Sequence, residues 1–249
     1  MIKAVVFDLG STLIAFQGDW DATLNESAWA LTDSLLSSGI SLDREGFAAA
    51  FRQETERFQR QRQIDHQERT TAFILRQVLR AQGVAEPSVD VLRRVLRQMF
   101  AVSEARWQRV PEAQRVLERL RRQGLRLGLL SNAGDAENVD RLIDQAELRS
   151  YFELIVVSAA VGFRKPDQRA FAPILQAWRL HPSEIVMVGD TLGEDILGAQ
   201  GCGLRQIWVR AFADPEGAAA FSGLVRPEVT TDHLVEVPDA IGRMNGVLR

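Results

Sequence analysis

Three short apolar runs in this chain each stop at a polar or acidic residue, and that arrangement limits the fold more than any other feature. Ala4-Val5-Val6-Phe7 ends at Asp8, the run at 125–130 (LRLGLL) ends at Ser131-Asn132, and the run at 184–188 (EIVMV) ends at Gly189-Asp190. Apolar residues at successive positions, without polar alternation, predict strands covered on both faces, as in a parallel sheet. Residues 154–157 and 206–209 are two further candidate strands. Between these runs lie helix-period segments. Residues 112–123 carry Ala113, Val116, Leu117 and Leu120 on one face, and 139–146, 167–178 and 196–199 are similar. Strand and helix alternating from residue 110 onward predict a doubly wound, parallel-sheet α/β core.

Residues 16–107 break the alternation. They hold no convincing strand and read as helices at 21–36, 43–62, 70–81 and 89–100, with Asp43 as an N-cap and Gly39 and Gly83 as stops. The expected organisation is a core built from residues 1–15 and 108–249, with a smaller all-helical cap, 16–107, inserted after the first strand. A length of 249 residues suits one domain of ordinary size plus such an insertion. The charged run 54–62 (ETERFQRQR) reads as a solvated helix face, although Arg52, Arg57, Arg60 and Arg62 also offer charge to an anionic substrate. Trp20, Trp29 and Phe58 read as core of the insertion, with Trp20, close behind residues 8–12, alternatively lining a substrate pocket, and 211–227 as a loop with one short helix.

A formal net charge of −3 gives no general reason to expect nucleic acid or an anionic membrane as partner. One cysteine, Cys202, excludes an internal disulfide and reads as a small packed residue. No apolar run approaches the ~20 residues of a membrane span. The expectation is a cytoplasmic monomer or homodimer. Of 30 basic residues only Lys3 and Lys165 are lysine, so Lys165 is a candidate for a place that needs a compact ammonium.

Ligands of open parallel sheets bind beyond the carboxyl ends of the strands. Polar residues just after an apolar run are therefore candidates for one shared site: the cluster at 8–12, Ser131-Asn132, Lys165, and Asp190 with Asp195. Two acidic clusters suit a hard cation such as Mg²⁺, which takes one or two carboxylates plus phosphate and water. A lysine with hydroxyl and amide donors suits phosphate oxygens. A carboxylate can also serve as nucleophile and form an aspartyl-phosphate. His66, His181 and His233 show no metal-ligand spacing.

Phe7-Asp8-Leu9-Gly10-Ser11-Thr12-Leu13 resembles the first motif of the haloacid dehalogenase superfamily, a strand followed by Asp-x-Asp-x-Thr. Leu130-Ser131-Asn132 is similar to its second motif, and Gly162-Phe163-Arg164-Lys165-Pro166-Asp167 to its third. The stretch from Val188-Gly189-Asp190 through Asp195 to Gly198-Ala199 is similar to its fourth, Gly-Asp-x4-Asp. Each motif alone is weak; four in order are strong. The resemblance implies a Rossmann-like core with the helical insertion as cap. It implies Asp8 as nucleophile and Mg²⁺ ligand, Asp190 as a direct ligand, Asp195 beside it, and the Gly10 carbonyl as a further ligand. Ser131 and Asn132, with Leu9 and Gly10, would hold the phosphoryl group, and Lys165 would bridge that group and Asp8.

One departure matters. The family's phosphatases carry a second aspartate two positions after the nucleophile, and here that position is Gly10; Ser11 also replaces a usual glycine. Loss of a general acid–base costs ~10²–10⁴-fold in rate. Three readings follow: a Mg²⁺-dependent phosphatase, slow or drawing its acid from Glu194 or the insertion; a non-catalytic module that binds metal and a phosphorylated ligand; and a 2-haloacid dehalogenase, which needs no such acid. The phosphatase reading is favoured, with aryl or acyl phosphates as the easiest esters, and restoring Gly10→Asp is expected to speed esters with poor leaving groups.

Overall fold

The computed structural model describes residues 1–246. Its strands are β1 (Ala4–Phe7), β2 (Ile14–Phe16), β3 (Trp107–Arg109), β4 (Arg126–Ser131), β5 (Leu154–Val157), β6 (Ile185–Gly189), β7 (Arg205–Val209) and β8 (Val229–Thr231). Six of them form one all-parallel sheet in the order β5-β4-β1-β6-β7-β8. Phe7 pairs with Leu129 on one side and Val188 on the other, so the carboxyl ends of the three central strands finish level.

The sequence of the strands explains why helices cover both faces. Alternate residues point opposite ways. Val5, Phe7, Leu127, Leu129, Val186 and Val188 pack on one side against α5 (Ala113–Arg122), α6 (Ala136–Gln145) and α11 (Val237–Met244). Ala4, Val6, Leu130, Ile185 and Met187 pack on the other, chiefly against Phe171, Ile174 and Trp178 of α8 (Gln168–Trp178). The short helices α7 (Ser158–Val161), α9 (Leu197–Gly201) and α10 (Pro215–Phe221) complete this layer, with a π-turn at Leu192–Ile196 leading into α9.

Before β3 the chain forms α1 (Trp20–Ser37), α2 (Arg44–Asp65), α3 (Thr71–Ala81) and α4 (Val89–Glu104), whose apolar stripes make a separate core around Leu31, Phe47, Leu75 and Val95. Each large apolar side chain buried there contributes ~1.5–3 kcal/mol. Asp43 caps α2 by accepting from Gly46 N, and Gly39 and Gly83 follow their helices with left-handed φ of 82° and 68°. This helical layer lies over the carboxyl edge of the sheet and is called the roof below.

The structure departs from the sequence reading in several places. β2 and β3 pair antiparallel as a ribbon at the foot of the roof, where no strand was expected, and the expected boundaries at 15/16 and 107/108 fall inside it. β8, α7 and α11 were also not read; a three-residue edge strand and a four-residue helix are too short to show a period. Trp20 is 45% exposed and not core, because it opens α1 and lies against Phe16 and Trp107. Trp29 and Phe58 do pack into the roof's core. Among the described residues no helix is long and apolar enough to cross a membrane.

Candidate active site

Four loops at the level strand ends bring the predicted residues together. Asp8 follows β1, Ser131 ends β4 with Asn132 next, Asp190 follows β6, and Asp195 returns from the π-turn. Lys165 arrives from the loop between α7 and α8 and is 1% exposed. Its ammonium donates to Asp8 Oδ1 at 2.5 Å, to Asp195 Oδ1 at 2.6 Å and to the Leu130 carbonyl at 2.9 Å. Asp195 is held by Thr191 N at 3.0 Å, and a Cβ at position 189 would fall inside its carboxylate, so only glycine fits there. Asp190 accepts one long hydrogen bond from Thr12 Oγ1 at 3.3 Å, while its backbone carbonyl is fixed by Trp208 Nε1 at 2.6 Å.

One carboxylate oxygen each from Asp8, Asp190 and Asp195 lie within 4.8 Å of one another, all three residues buried. Burial pushes the Asp8 carboxyl up to about 7, opposed by the Lys165 charge and reinforced by Asp195. Burial likewise raises Asp190, helped by Asp8 and Asp195, and raises Asp195 against the pull of Lys165. For Lys165 burial works downward, but Asp195 and Asp8 outweigh it and hold the ammonium above its ordinary range. When all three are ionised, the carboxylates outnumber the one ammonium by two charges in a dry place, so the donor set fits one divalent cation with oxygen ligands.

Two expected residues have other duties. Asn132 accepts from Lys165 N at 2.9 Å and donates to Lys165 O at 3.1 Å and Glu194 Oε2 at 2.9 Å, so its side-chain amide pins the lysine loop. Glu194, expected as a substitute acid, is engaged on both oxygens, the other by Arg164 at 3.0 Å. Burial alone would raise it, but Arg164, Lys165 and Asn132 hold its carboxyl below the usual range. At position 10 itself a Cβ would make ordinary contact, 3.4 Å from the edge of the Trp107 ring, so a side chain there would lie against that ring.

Between floor and roof lies a cavity of about 440 Å³. Asp8, Leu9, Gly10, Ser131, Asn132 and Asp190 line its floor, and Phe51, Phe58, Ile74, Met99 and Phe100 its roof, with Trp20 and Trp107 at the side. Arg62, placed by sequence on a solvated face, lines it too, as do Arg164 and Glu194. Trp107, Arg164 and the roof residue Glu68 are contributors that sequence reasoning did not single out. Only the adjacency of Arg164 to Lys165 in the third motif hinted at one of them.

A parallel α/β sheet with an acid-rich site at its carboxyl edge and a helical roof defines the class; the family follows from comparison. The family model for haloacid dehalogenase-like hydrolases matches residues 2–203, and the chain belongs to that family. It is 37% identical over 127 residues to a phosphoserine phosphatase of Thermus thermophilus, covering 51% of each chain. It is 34% identical over 101 residues to a glyceraldehyde 3-phosphate phosphatase of Pyrococcus abyssi, covering 41% of this chain and 42% of that one. The matched stretches thus span about half the length of these curated relatives. Among solved structures, a 2-haloacid dehalogenase of Pseudomonas syringae pv. Tomato has a TM-score of 0.68 at 25% identity, covering 98% of this chain and all of that one. A haloacid dehalogenase-family phosphatase of Thermococcus onnurineus has a TM-score of 0.61 at 21% identity, covering 97% and 98%.

Proposed function

We propose that this hydrolase is a Mg²⁺-dependent phosphatase that cleaves small phosphate monoesters through an aspartyl-phosphate at Asp8. The observation that carries the reading is the set of three buried aspartates with the Lys165 ammonium between two of them. Asp8, Asp190 and the Gly10 carbonyl would hold the cation, with Asp195 beside them; when bound it supplies charge neutralisation between carboxylates and phosphoryl oxygens. The phosphatase names of the relatives at 37% and 34% identity support the same reading.

The chain's own residues then act as follows. An Asp8 carboxylate oxygen attacks phosphorus, the P–O bond to the leaving group breaks, and the leaving group departs with the bonding electrons. Lys165 lies against Asp8, so its charge offsets the repulsion between the carboxylate and the incoming dianion. The Ser131 hydroxyl and the backbone N–H groups of Leu9 and Gly10 are assigned to the phosphoryl oxygens, while Asn132 keeps the lysine loop aligned. Water then attacks phosphorus, releasing inorganic phosphate and restoring the Asp8 carboxylate. Position 10 carries no acid and both Glu194 oxygens are engaged, by Asn132 and Arg164, so the leaving group is assigned a proton from water. Esters of acidic alcohols, phenols above all, are therefore the favoured substrates.

A second reading, dehalogenation of a 2-haloacid, has its support in the missing acid at Gly10 and in the likeness to the Pseudomonas syringae enzyme. Against it stands Asp190, a third carboxylate that such chemistry does not need. The test is hydrolysis of para-nitrophenyl phosphate with Mg²⁺ and with EDTA, beside Asp8→Asn, with 2-chloropropionate run in parallel. Metal-dependent release that vanishes in the variant is expected. Turnover that survives Asp8→Asn, or chloride release in place of phosphate release, overturns the reading.

A further inference from the structure

Four arginines line the cavity, and three are committed. Arg52 donates to Asn25 and Glu56, Arg69 is forked onto Asp65, and Arg164 is shared by Glu68 and Glu194. Arg62, on the last turn of α2, makes no side-chain hydrogen bond among the described residues; its Nε is buried and bare. The nearest carboxylate is Glu68, with Oε1 3.7 Å from an Arg62 Nη. Its Oε2 accepts from Ser158 Oγ at 2.7 Å and from Arg164 at 3.2 Å, while Oε1, the oxygen facing Arg62, accepts no hydrogen bond. The Arg62 side chain is 29% exposed and its only ion pair is this long one to Glu68, so it is the one arginine lining the cavity whose donors are not engaged in hydrogen bonds among the described residues. Burial, and then the Arg164 charge, hold the Arg62 guanidinium below its ordinary range, against the pull of Glu68 and Glu194.

We propose that Arg62 receives a carboxylate carried by the leaving group, so that the substrate is a phosphate monoester with a second, planar anionic group. The inference rests on the phosphatase reading. A guanidinium presents paired donors that match a carboxylate in two parallel hydrogen bonds. The phosphoryl group sits on the floor with Lys165, and Arg62 belongs to the roof. Phe51, Phe58 and Phe100 lie along the roof, so the body joining the two anions is apolar or aromatic.

The experiment compares kcat/KM for 4-carboxyphenyl phosphate and 4-carbamoylphenyl phosphate, which have nearly the same shape and differ in charge. The carbamoyl ester has the better leaving group, so chemistry alone favours it and the comparison is biased against the proposal. The wild-type protein is expected to prefer the carboxylate ester by about tenfold or more, the scale of one charge-assisted contact. Arg62→Met should bring the ratio to one or below, Arg62→Lys should restore part of it, and Arg60→Met, on an exposed position of the same helix, should leave it as in wild type. A wild-type ratio at or below one overturns the inference, as does a ratio that Arg62→Met leaves unchanged while slowing both esters, which would place Arg62 on the phosphoryl group or in the fold. In both cases para-nitrophenyl phosphate is still cleaved and the phosphatase reading stands. Loss of all metal-dependent phosphate release overturns both.

Discussion

At position 10 the backbone carries no side chain, and the Trp107 ring edge borders the place where one would stand. This changes what restoring the acid should do. A Cβ alone makes ordinary contact at 3.4 Å, and a carboxyl beyond it would have to find room beside a ring packed edge-on against Phe16 and Trp20. Gly10→Asp by itself is therefore expected to change the ratio of kcat/KM on propyl phosphate to that on phenyl phosphate by less than tenfold. With Trp107→Leu beside it, the ratio should rise by about 10²-fold or more, the usual worth of a general acid. An equal gain in the single variant would show that Trp107 is no obstacle. The neighbouring Ser11 holds a left-handed φ of 57°, where a side chain costs about 1 kcal/mol relative to glycine. Asp8, Asp190 and Lys165 were legible because each abuts an apolar run or stands out as a rare lysine. Trp107 was not: it reaches Gly10 across most of the inserted roof, and no local pattern encodes that contact.

The loop joining α2 to α3 ties the roof to the floor through one short docking element. Glu68 N donates to Gly162 O at 3.0 Å, Arg164 N to His66 O at 3.0 Å, and Thr71 N to Gly134 O at 2.8 Å. Inside this backbone seam the Glu68 carboxylate, with a fully buried side chain, holds Ser158 and Arg164; Arg164 holds Glu194, and Glu194 holds Asn132 beside Lys165. Glu68→Gln keeps the size and can still accept from Ser158, but it leaves the Arg164 guanidinium with a weaker partner in a dry place. A loss of about 1–3 kcal/mol of unfolding free energy is expected from urea titration. A change within 0.5 kcal/mol, the range of ordinary surface substitutions, would mean that the seam is backbone-held. The four long roof helices were legible from their amphipathic spacing, with ends displaced by a few residues. The ribbon of β2 and β3 and this docking loop were not, since three-residue strands show no alternation and a buried glutamate looks like any other loop acid.

Over the whole molecule, two separate apolar cores meet at a polar layer, and the largest uncompensated charge lies in that layer. The Glu68, Arg164, Glu194 and Arg62 group balances itself, two charges of each sign, whereas Asp8, Asp190 and Asp195 face only Lys165. The parallel sheet was readable because its strands are apolar throughout. The way the roof closes over its edge depends on contacts between residues tens of positions apart, which no single sequence displays. A folded chain with three buried carboxyl groups converging on one place should be stabilised by a divalent cation, because the unfolded chain offers no preformed site. At a Mg²⁺ concentration 100 times its Kd the gain is about 2.7 kcal/mol, which for a chain of this length corresponds to a rise in Tm of roughly 5–10 °C. Thermal unfolding at matched ionic strength should show that rise with MgCl₂ over NaCl and its reversal by EDTA. Asp190→Asn removes one carboxylate and part of the repulsion, so this variant should unfold at or above the metal-free wild-type temperature and respond little to Mg²⁺. A wild-type Tm indifferent to Mg²⁺, or an undiminished rise in Asp190→Asn, would place the cation elsewhere and leave the three aspartates to be explained by Lys165 alone.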